Sequence, residues 1–391
     1  MKILLLSFYF KPDLCAGSFR NTALVEALEK QLGPDDSIDV VTTMPNRYHT
    51  FKEEAQENEK VGNIHITRIP LPEHKSGFMD QIWSFRAYQR ATWKYLKSVD
   101  TSEYDIVVAS SSRLFTAFLG ARVANKIKKP LYLDIRDIFT ETIDNVIDNK
   151  IVRYSLLPLI YKIEHYTIKS AAHLNIVSGG FKKYFREYYN GPITEFTNGI
   201  DEVFLENDFV SQSQNEKPVI TYAGNIGEGQ GLEKIVPEAA AKLSDRFIFQ
   251  IIGDGGTKNK LTEEIQNRDL QNVKLVDPVN REELLKYYRD SDYLFLHLND
   301  YEAFEKVLPS KIFEYAATKK PMIAGVGGFS GQFIENNIED AILFSPCNAD
   351  ELVRKLEGHQ INSNDRAEFI EKYRRDSIMS EMARSIISYV E

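Results

Sequence analysis

The chain has 391 residues, 43% of them hydrophobic and 27% charged, with 21 Gly and 14 Pro, a composition that excludes low-complexity and disordered classes. Its length is long for one hydrophobic core, so two domains are expected. The net charge of −9 sets up a field that repels nucleic acid, and an anionic ligand must then be met by a local basic patch.

Met1-Lys2 and the apolar run to Phe10 look at first like a signal peptide. Lys11-Pro12-Asp13 follow at once with no small-residue cleavage site, so the run reads as a buried strand. No stretch approaches the roughly 18 continuous apolar residues of a membrane span, and the chain is expected not to cross a bilayer. Two cysteines, Cys15 and Cys347, are too few for a disulfide framework and fit a reducing, cytoplasmic compartment; both read as small buried residues.

β-branched and aliphatic runs alternate with helix-patterned segments: Lys2–Phe10, Ile38–Thr43, Ile64–Ile69, Asp105–Ser110, Leu131–Ile135, Leu174–Ser178 and Ile193–Thr197. That rhythm predicts a parallel, helix-covered sheet. Periodicity is lost over Glu202–Pro218, the best linker candidate. It restarts with Val219–Ala223, Ile248–Ile252, Val273–Val276, Tyr293–Leu298, Met322–Gly325 and Ile342–Phe344, a second α/β sheet. The expected division is an N-terminal domain over 1–205, a second over 206–375, and an amphipathic C-terminal helix within 376–391 that packs back toward the first domain.

Doubly wound sheets bind ligands beyond the carboxyl ends of their strands. After the first strand, Gly17-Ser18 opens a helix expected from about Asn21, with Arg20 one turn in. That suits an anion on backbone N–H groups; the alternative is a plain strand-to-helix turn with a surface Arg. A dinucleotide fingerprint is missing: Ile252-Gly253-Asp254-Gly255-Gly256 comes nearest, but Lys258 stands where the third glycine belongs. A P-loop is absent too.

The sharpest local signal is Val307-Leu308-Pro309-Ser310-Lys311-Ile312-Phe313-Glu314-Tyr315, with Pro where helices begin. Ser310, Lys311 and Glu314 can share one face of the first turn, so an ammonium and free backbone N–H groups meet a diphosphate while a carboxylate accepts from sugar or ribose hydroxyls. The bland alternative is an exposed Lys–Glu pair.

These blocks resemble retaining glycosyltransferases of family 4 in a bacterial capsule and O-antigen branch. Ile220–Leu232 is similar to the family's "YaGniG-x-x-qgLe" opening, Ile251–Gly255 to "iiGdG", Val307–Tyr315 to "vPSKifEY", and Phe196–Asp201, with Asn198, to "pNGvD". The resemblance implies an α/β GT-B fold: two Rossmann-like doubly wound domains facing a central cleft, the acceptor in the first and a nucleotide-sugar in the second. It implies that Glu314 binds the donor ribose, that Lys311 with the backbone at Gly224 and Gly17 holds the diphosphate, and that Pro278-Val279 borders the base. Ser18, Arg20, Asn198, Asn225, Gly253, Asp254, Lys306, Leu308, Pro309 and Ser310 complete the implied donor-binding set. A UDP-linked, N-acetylated sugar is expected over a GDP-sugar, with retention, no bound metal and no cofactor beyond the donor substrate. The chain departs from the family at Lys306, where many relatives carry a second Glu, and at Asn225 and Gln230, where many carry phosphate-binding Arg and Lys. More of the phosphate charge then falls on Lys311 and Arg20. In the first domain Arg136 stands where many relatives have a His; it can hold a phosphate or acceptor hydroxyl, and Asp137 can accept from the acceptor, pair with Arg136, or serve as base if the reaction inverts.

From His74 to Val99, Phe78, Met79, Ile82, Trp83, Phe85, Trp93 and Tyr95 alternate with Lys75, Arg86, Arg90, Lys94 and Lys97. Such a helix suits an anionic membrane interface, and Phe181-Lys182-Lys183-Tyr184-Phe185-Arg186 can add to it; the alternative turns the aromatics to the core. A protein peripheral on the inner face of the cytoplasmic membrane, with a lipid-linked or oligosaccharide acceptor, is expected. The competing readings are a nucleotide-sugar epimerase of similar architecture and an inactive membrane-associated scaffold.

Overall fold

The computed structural model describes residues 1–13, 15–46, 54–71, 78–111, 114–138, 140–141, 150–210, 216–360 and 365–390. The chain forms two units, Met1–Asn198 with Arg375–Glu391, and Gly199–Arg374.

In the first unit, β1 (Lys2–Leu6) is central in a sheet that runs, by chain number, 3-4-2-1-5-6-7-8, with β2 (Ser37–Thr43), β3 (Asn58–Val61), β4 (Ile64–Ile69), β5 (Ile106–Ser110), β6 (Leu131–Ile135), β7 (His173–Ile176) and β8 (Ile193–Thr194). The pairings are parallel except β3 with β4. β3 lies outside the strands read from the sequence, because Asn58-Glu59-Lys60-Val61 is a mostly exposed edge with no apolar alternation to betray it. After Lys2, β1 is fully apolar, and β5 is fully apolar or small, because helices cover both faces. Those helices are α1 (Ala16–Glu29), α2 (Phe78–Ser98), α3 (Leu114–Ile127), α4 (Lys150–Lys169) and the short α5 (Lys182–Arg186).

The second unit has six strands in the order 11-10-9-12-13-14, all parallel: β9 (Val219–Asn225), β10 (Ile248–Asp254), β11 (Val273–Val276), β12 (Tyr293–His297), β13 (Met322–Gly325) and β14 (Ala341–Phe344). α6 (Glu202–Leu205) precedes them, and α7 (Leu232–Lys242), α8 (Lys258–Asn267), α9 (Arg281–Asp290), α10 (Lys311–Ala317), α11 (Gly328–Asn337), α12 (Ala349–Glu357) and α13 (Ala367–Lys372) connect and follow them. The strand order reverses beside β1 and beside β9, so the residues after those two strands sit at the switch points where doubly wound sheets bind ligands.

The chain passes between units at Asn198–Gly199. Within the expected linker, Glu202–Leu205 is helical, and Phe204 and Phe209 are buried against Tyr288 in the second unit's core. The final helix, α14 (Arg375–Ile387), belongs to the first unit, where Gln31 donates to Ser380 and Met379, Met382 and Ile386 are fully buried.

Candidate functional site

α1 begins at Ala16, not near Asn21, so Gly17, Ser18 and Arg20 all fall in its first turns and are buried. Arg20 is 1% exposed. Its Nε and Nη2 donate to Asp134 at 2.7 and 2.8 Å, Nη1 donates to the Thr197 carbonyl at 2.7 Å, and Nη2 also reaches the Phe196 carbonyl at 2.8 Å. A guanidinium so committed is an internal strut, which corrects its reading as a phosphate ligand or a surface Arg. Asn175 on β7 completes the strut, donating to Asp134 at 2.7 Å and accepting from the Phe196 N–H at 2.7 Å. Burial alone would raise the Asp134 carboxyl, but Arg20 and Asn175 hold it below the usual range. The signal that would have revealed the strut is an aspartate in the otherwise apolar strand Leu131–Ile135, since a buried charge must be paired.

Arg136 follows β6 at once. Its N–H donates to Ser111 Oγ at 2.9 Å, and its guanidinium rests on Gly17, where an added Cβ would stand 2.5 Å from Nη1. Arg136 Nε is buried with no hydrogen-bond partner among the described residues. Desolvation and then the like charge of Arg20 lower its proton affinity, against the pull of Asp134 and Asp137. A desolvated guanidinium against a glycine backbone is suited to an anion. Beside it, Asp137 is an exposed residue whose carboxyl is nonetheless crowded by protein: desolvation pushes it up to about 6, with Arg136 opposing. Among the described residues Ser18 Oγ and Asn198 Oδ1 are also buried without partners, while the Asn198 carbonyl accepts from Arg375 Nε at 3.0 Å.

In the second unit, Lys311 opens α10 and its ammonium lies over the carboxyl end of β9. A Cβ on Gly224 would stand 2.4 Å from Lys311 Nζ, and Gly224 has φ +146°. The ammonium is 5.7 Å from the centre of the Tyr222 ring, whose hydroxyl donates to the Asn225 carbonyl at 2.6 Å. Gly253, at the end of β10, is required by close approach: its Cβ would fall 1.8 Å from the Gly224 carbonyl oxygen. Lys311 and Glu314 are half-buried on one side of α10, with Ile312, Phe313 and Ala317 inside. Three of the first-turn N–H groups expected to meet phosphate are otherwise engaged: Ile312 donates to Pro309, and Phe313 and Glu314 donate to Ser310. That turn therefore offers the Lys311 side chain more than its backbone.

Asn225 and Gln230 bond to each other at 2.8 Å, and Asp254 accepts from the Gly255 N–H at 2.8 Å. The Leu308 side chain is buried in the core, leaving only its backbone for a ligand, and Val279 packs against the same cluster beside half-buried Pro278. Pro309 and Ser310 are half-buried before α10, and Lys306 closes the 3-10 turn Glu302–Lys306. His297, the histidine nearest these motifs, uses both ring nitrogens inside the fold: Nδ1–H donates to the Gln230 carbonyl at 2.6 Å, and Nε2 accepts the Cys347 N–H at 2.9 Å. Its burial pushes the imidazole down to about 4. Cys15 and Cys347 are half-buried thiols outside any disulfide among the described residues, rather than core residues.

On α2 the Phe85 and Tyr88 side chains face the core, Arg86, Arg90, Lys94 and Lys97 face outward, and Trp83 is 53% exposed with Arg86 stacked on it at 5.3 Å. Lys75 and the Phe78, Met79 and Ile82 side chains lie outside the described residues. In the second aromatic and basic stretch Phe181 and Phe185 are buried and Tyr184 is half-buried, while Lys182, Lys183 and Arg186 are exposed, so two of its three aromatics follow the core-facing alternative. No helix among the described residues is long and apolar enough to cross a membrane.

Two Rossmann-like units with these strand orders define a GT-B fold, and residues 203–376 match the family described as Glycosyl transferases group 1. The putative colanic acid biosynthesis glycosyl transferase WcaI of Escherichia coli (strain K12) is 32% identical over 142 residues, which are 36% of this chain and 34% of that protein; the match thus spans about a third of the curated relative. Anabaena HepE, solved with UDP and glucose, superposes with a TM-score of 0.69 at 16% identity, covering 99% of this chain and 100% of that one. Sucrose-phosphate synthase from Thermosynechococcus elongatus gives 0.69 at 13% identity over 100% and 96%. WaaG, a glycosyltransferase involved in lipopolysaccharide biosynthesis, gives 0.66 at 13% over 99% of each chain.

Proposed function

We propose that this chain is a glycosyltransferase that moves a sugar from a nucleotide diphosphate donor to a saccharide acceptor in bacterial surface polysaccharide assembly. The observation that carries the reading is the Lys311 ammonium held over Gly224, at the switch point of a Glycosyl transferases group 1 domain. In this reading Lys311 neutralises charge on the departing diphosphate, and Glu314, one turn along, accepts from the donor ribose. Arg136, desolvated and lying on Gly17, supplies a second anion contact, and Asp137 receives a hydrogen bond from the acceptor. Retention, independence of bound metal and an N-acetylated hexose follow from the sequence resemblance; UDP is favoured because HepE, which shares the fold, was solved with it. The polysaccharide setting is supported by WcaI and WaaG. The outward basic face of α2 with Trp83 supports peripheral attachment to an anionic membrane on the cytoplasmic side and a lipid-linked acceptor.

The test is calorimetric titration of the full chain with UDP, GDP and their sugars in the presence of a chelator. Binding of UDP in the micromolar range, lost in Lys311→Ala, is expected; no binding of any nucleotide would overturn the reading.

A further inference from the structure

Four residues past Arg136 in the chain, Thr140 enters a polar cluster that the chemistry above does not use. Glu164 on α4 is 2% exposed. Its Oε2 accepts from the Thr140 hydroxyl at 2.7 Å and from the Thr140 N–H at 3.4 Å; its Oε1 accepts from Tyr184 at 2.5 Å and from Tyr188 at 3.0 Å. Tyr188 is stacked on His165, ring centres 3.9 Å apart. A carboxylate taken this far out of water costs several kcal/mol unless its oxygens are fully hydrogen-bonded, and an apolar side chain would fill the space more cheaply. The donors that satisfy it come from α5 and its C-terminal extension on one side and from Thr140 on the other. Thr140 is buried and lies four residues past Arg136, whose own N–H is fixed by Ser111. Ser111 thus holds the Arg136 N–H and Glu164 holds Thr140, one contact on either side of Asp137 in the chain.

We infer that Glu164, held by Tyr184 and Tyr188, is a positioning residue that fixes the segment carrying Arg136 and Asp137 through Thr140, and that its carboxylate is present for that purpose. The inference rests on the role proposed above for Arg136, and two readouts separate the failure of one from the failure of the other. The variants Thr140→Val and Tyr188→Phe each remove one donor, Glu164→Gln removes the charge and one of the two acceptor oxygens, and Thr140→Ser keeps the hydroxyl. In the full chain, hydrogen exchange at residues 136–138 and 140–141 is expected to speed at least about ten-fold in Thr140→Val and Glu164→Gln and to stay as in wild type in Thr140→Ser. In UDP-sugar turnover, kcat should fall about ten-fold to a hundred-fold with donor KM within about two-fold, and Thr140→Ser should restore it. Folded Thr140→Val and Glu164→Gln with wild-type exchange and kcat would overturn the inference. Should Glu164→Gln not fold, Thr140→Val and Tyr188→Phe decide alone. Should the wild type transfer no sugar, the functional reading falls, and the exchange rates still decide whether Glu164 fixes the segment.

Discussion

Arg20 and Arg136 both act on Asp134, and they do opposite things. Arg20 meets its carboxylate bidentately and is sealed in; Arg136 is only attracted to it at a distance, is repelled by Arg20, and keeps a buried Nε without a partner among the described residues. Arg20→Ala is therefore expected to cost about 3 to 5 kcal/mol of stability by stranding a buried carboxylate, seen as a lowered denaturant midpoint. Arg136→Ala should leave that midpoint nearly unchanged and abolish most turnover. A phosphate ligand at position 20 would reverse the pattern. Asp137 permits a pH prediction: with its carboxyl up to about 6, a role that needs the carboxylate is lost as pH falls through 6. The acid limb of kcat should lie near 6 and disappear in Asp137→Asn; an unchanged limb in that variant assigns it to another group.

At the scale of elements, glycine placement decides which side chains reach the switch points. Gly17→Ala sets a methyl group against Arg136 Nη1, the movable end of a side chain, so the expected result is a displaced Arg136 and a large loss of turnover with little loss of stability. Gly224→Ala combines a backbone strained at φ +146° with a clash against Lys311 Nζ. It is expected to cost about 1 to 3 kcal/mol and to weaken UDP binding together; calorimetry and denaturant unfolding on the same sample separate the two effects. The outward face of α2 is tested by charge reversal of Arg86, Arg90 and Lys94, which should abolish flotation with anionic liposomes at low salt while leaving UDP binding intact.

At the scale of the whole molecule, acid stability is governed by buried neutral histidines. His297 and His173 are both pushed down by burial to about 4 from 6.5, so the unfolded chain takes up their protons first. Their contribution is complete above pH 6.5 and is lost as pH falls from 6.5 toward 4. Asp137 acts the other way between 3.8 and about 6, but it is one group against two. The free energy of unfolding is expected to be lower at pH 5 than at pH 7.5; a flat or rising profile would count against burial of neutral imidazoles as the cause.

Much of this protein was legible in the sequence. Continuous β-branched and aliphatic runs separated by helix patterns can be satisfied only by parallel sheets covered on both faces, and the Gly-rich ends of β9 and β10 with the Pro309-Ser310-Lys311 turn marked the place where the Lys311 ammonium meets Gly224. Local pattern did not reveal pairings made over long sequence separations. Arg20 with Asp134, Asn225 with Gln230, and Glu164 with Thr140 and two tyrosines are settled by where the strands and helices carry each donor, and only then does a charge become strut, ligand or anchor. The exposed edge strand β3 escaped for a related reason: an edge is defined by its neighbour β4, and its own residues need bury nothing. Sequence periodicity by itself determined the layered architecture, because burial of apolar surface is read one residue at a time; the tertiary structure decided the roles of the polar residues, because the cost of a buried charge depends on what stands opposite it.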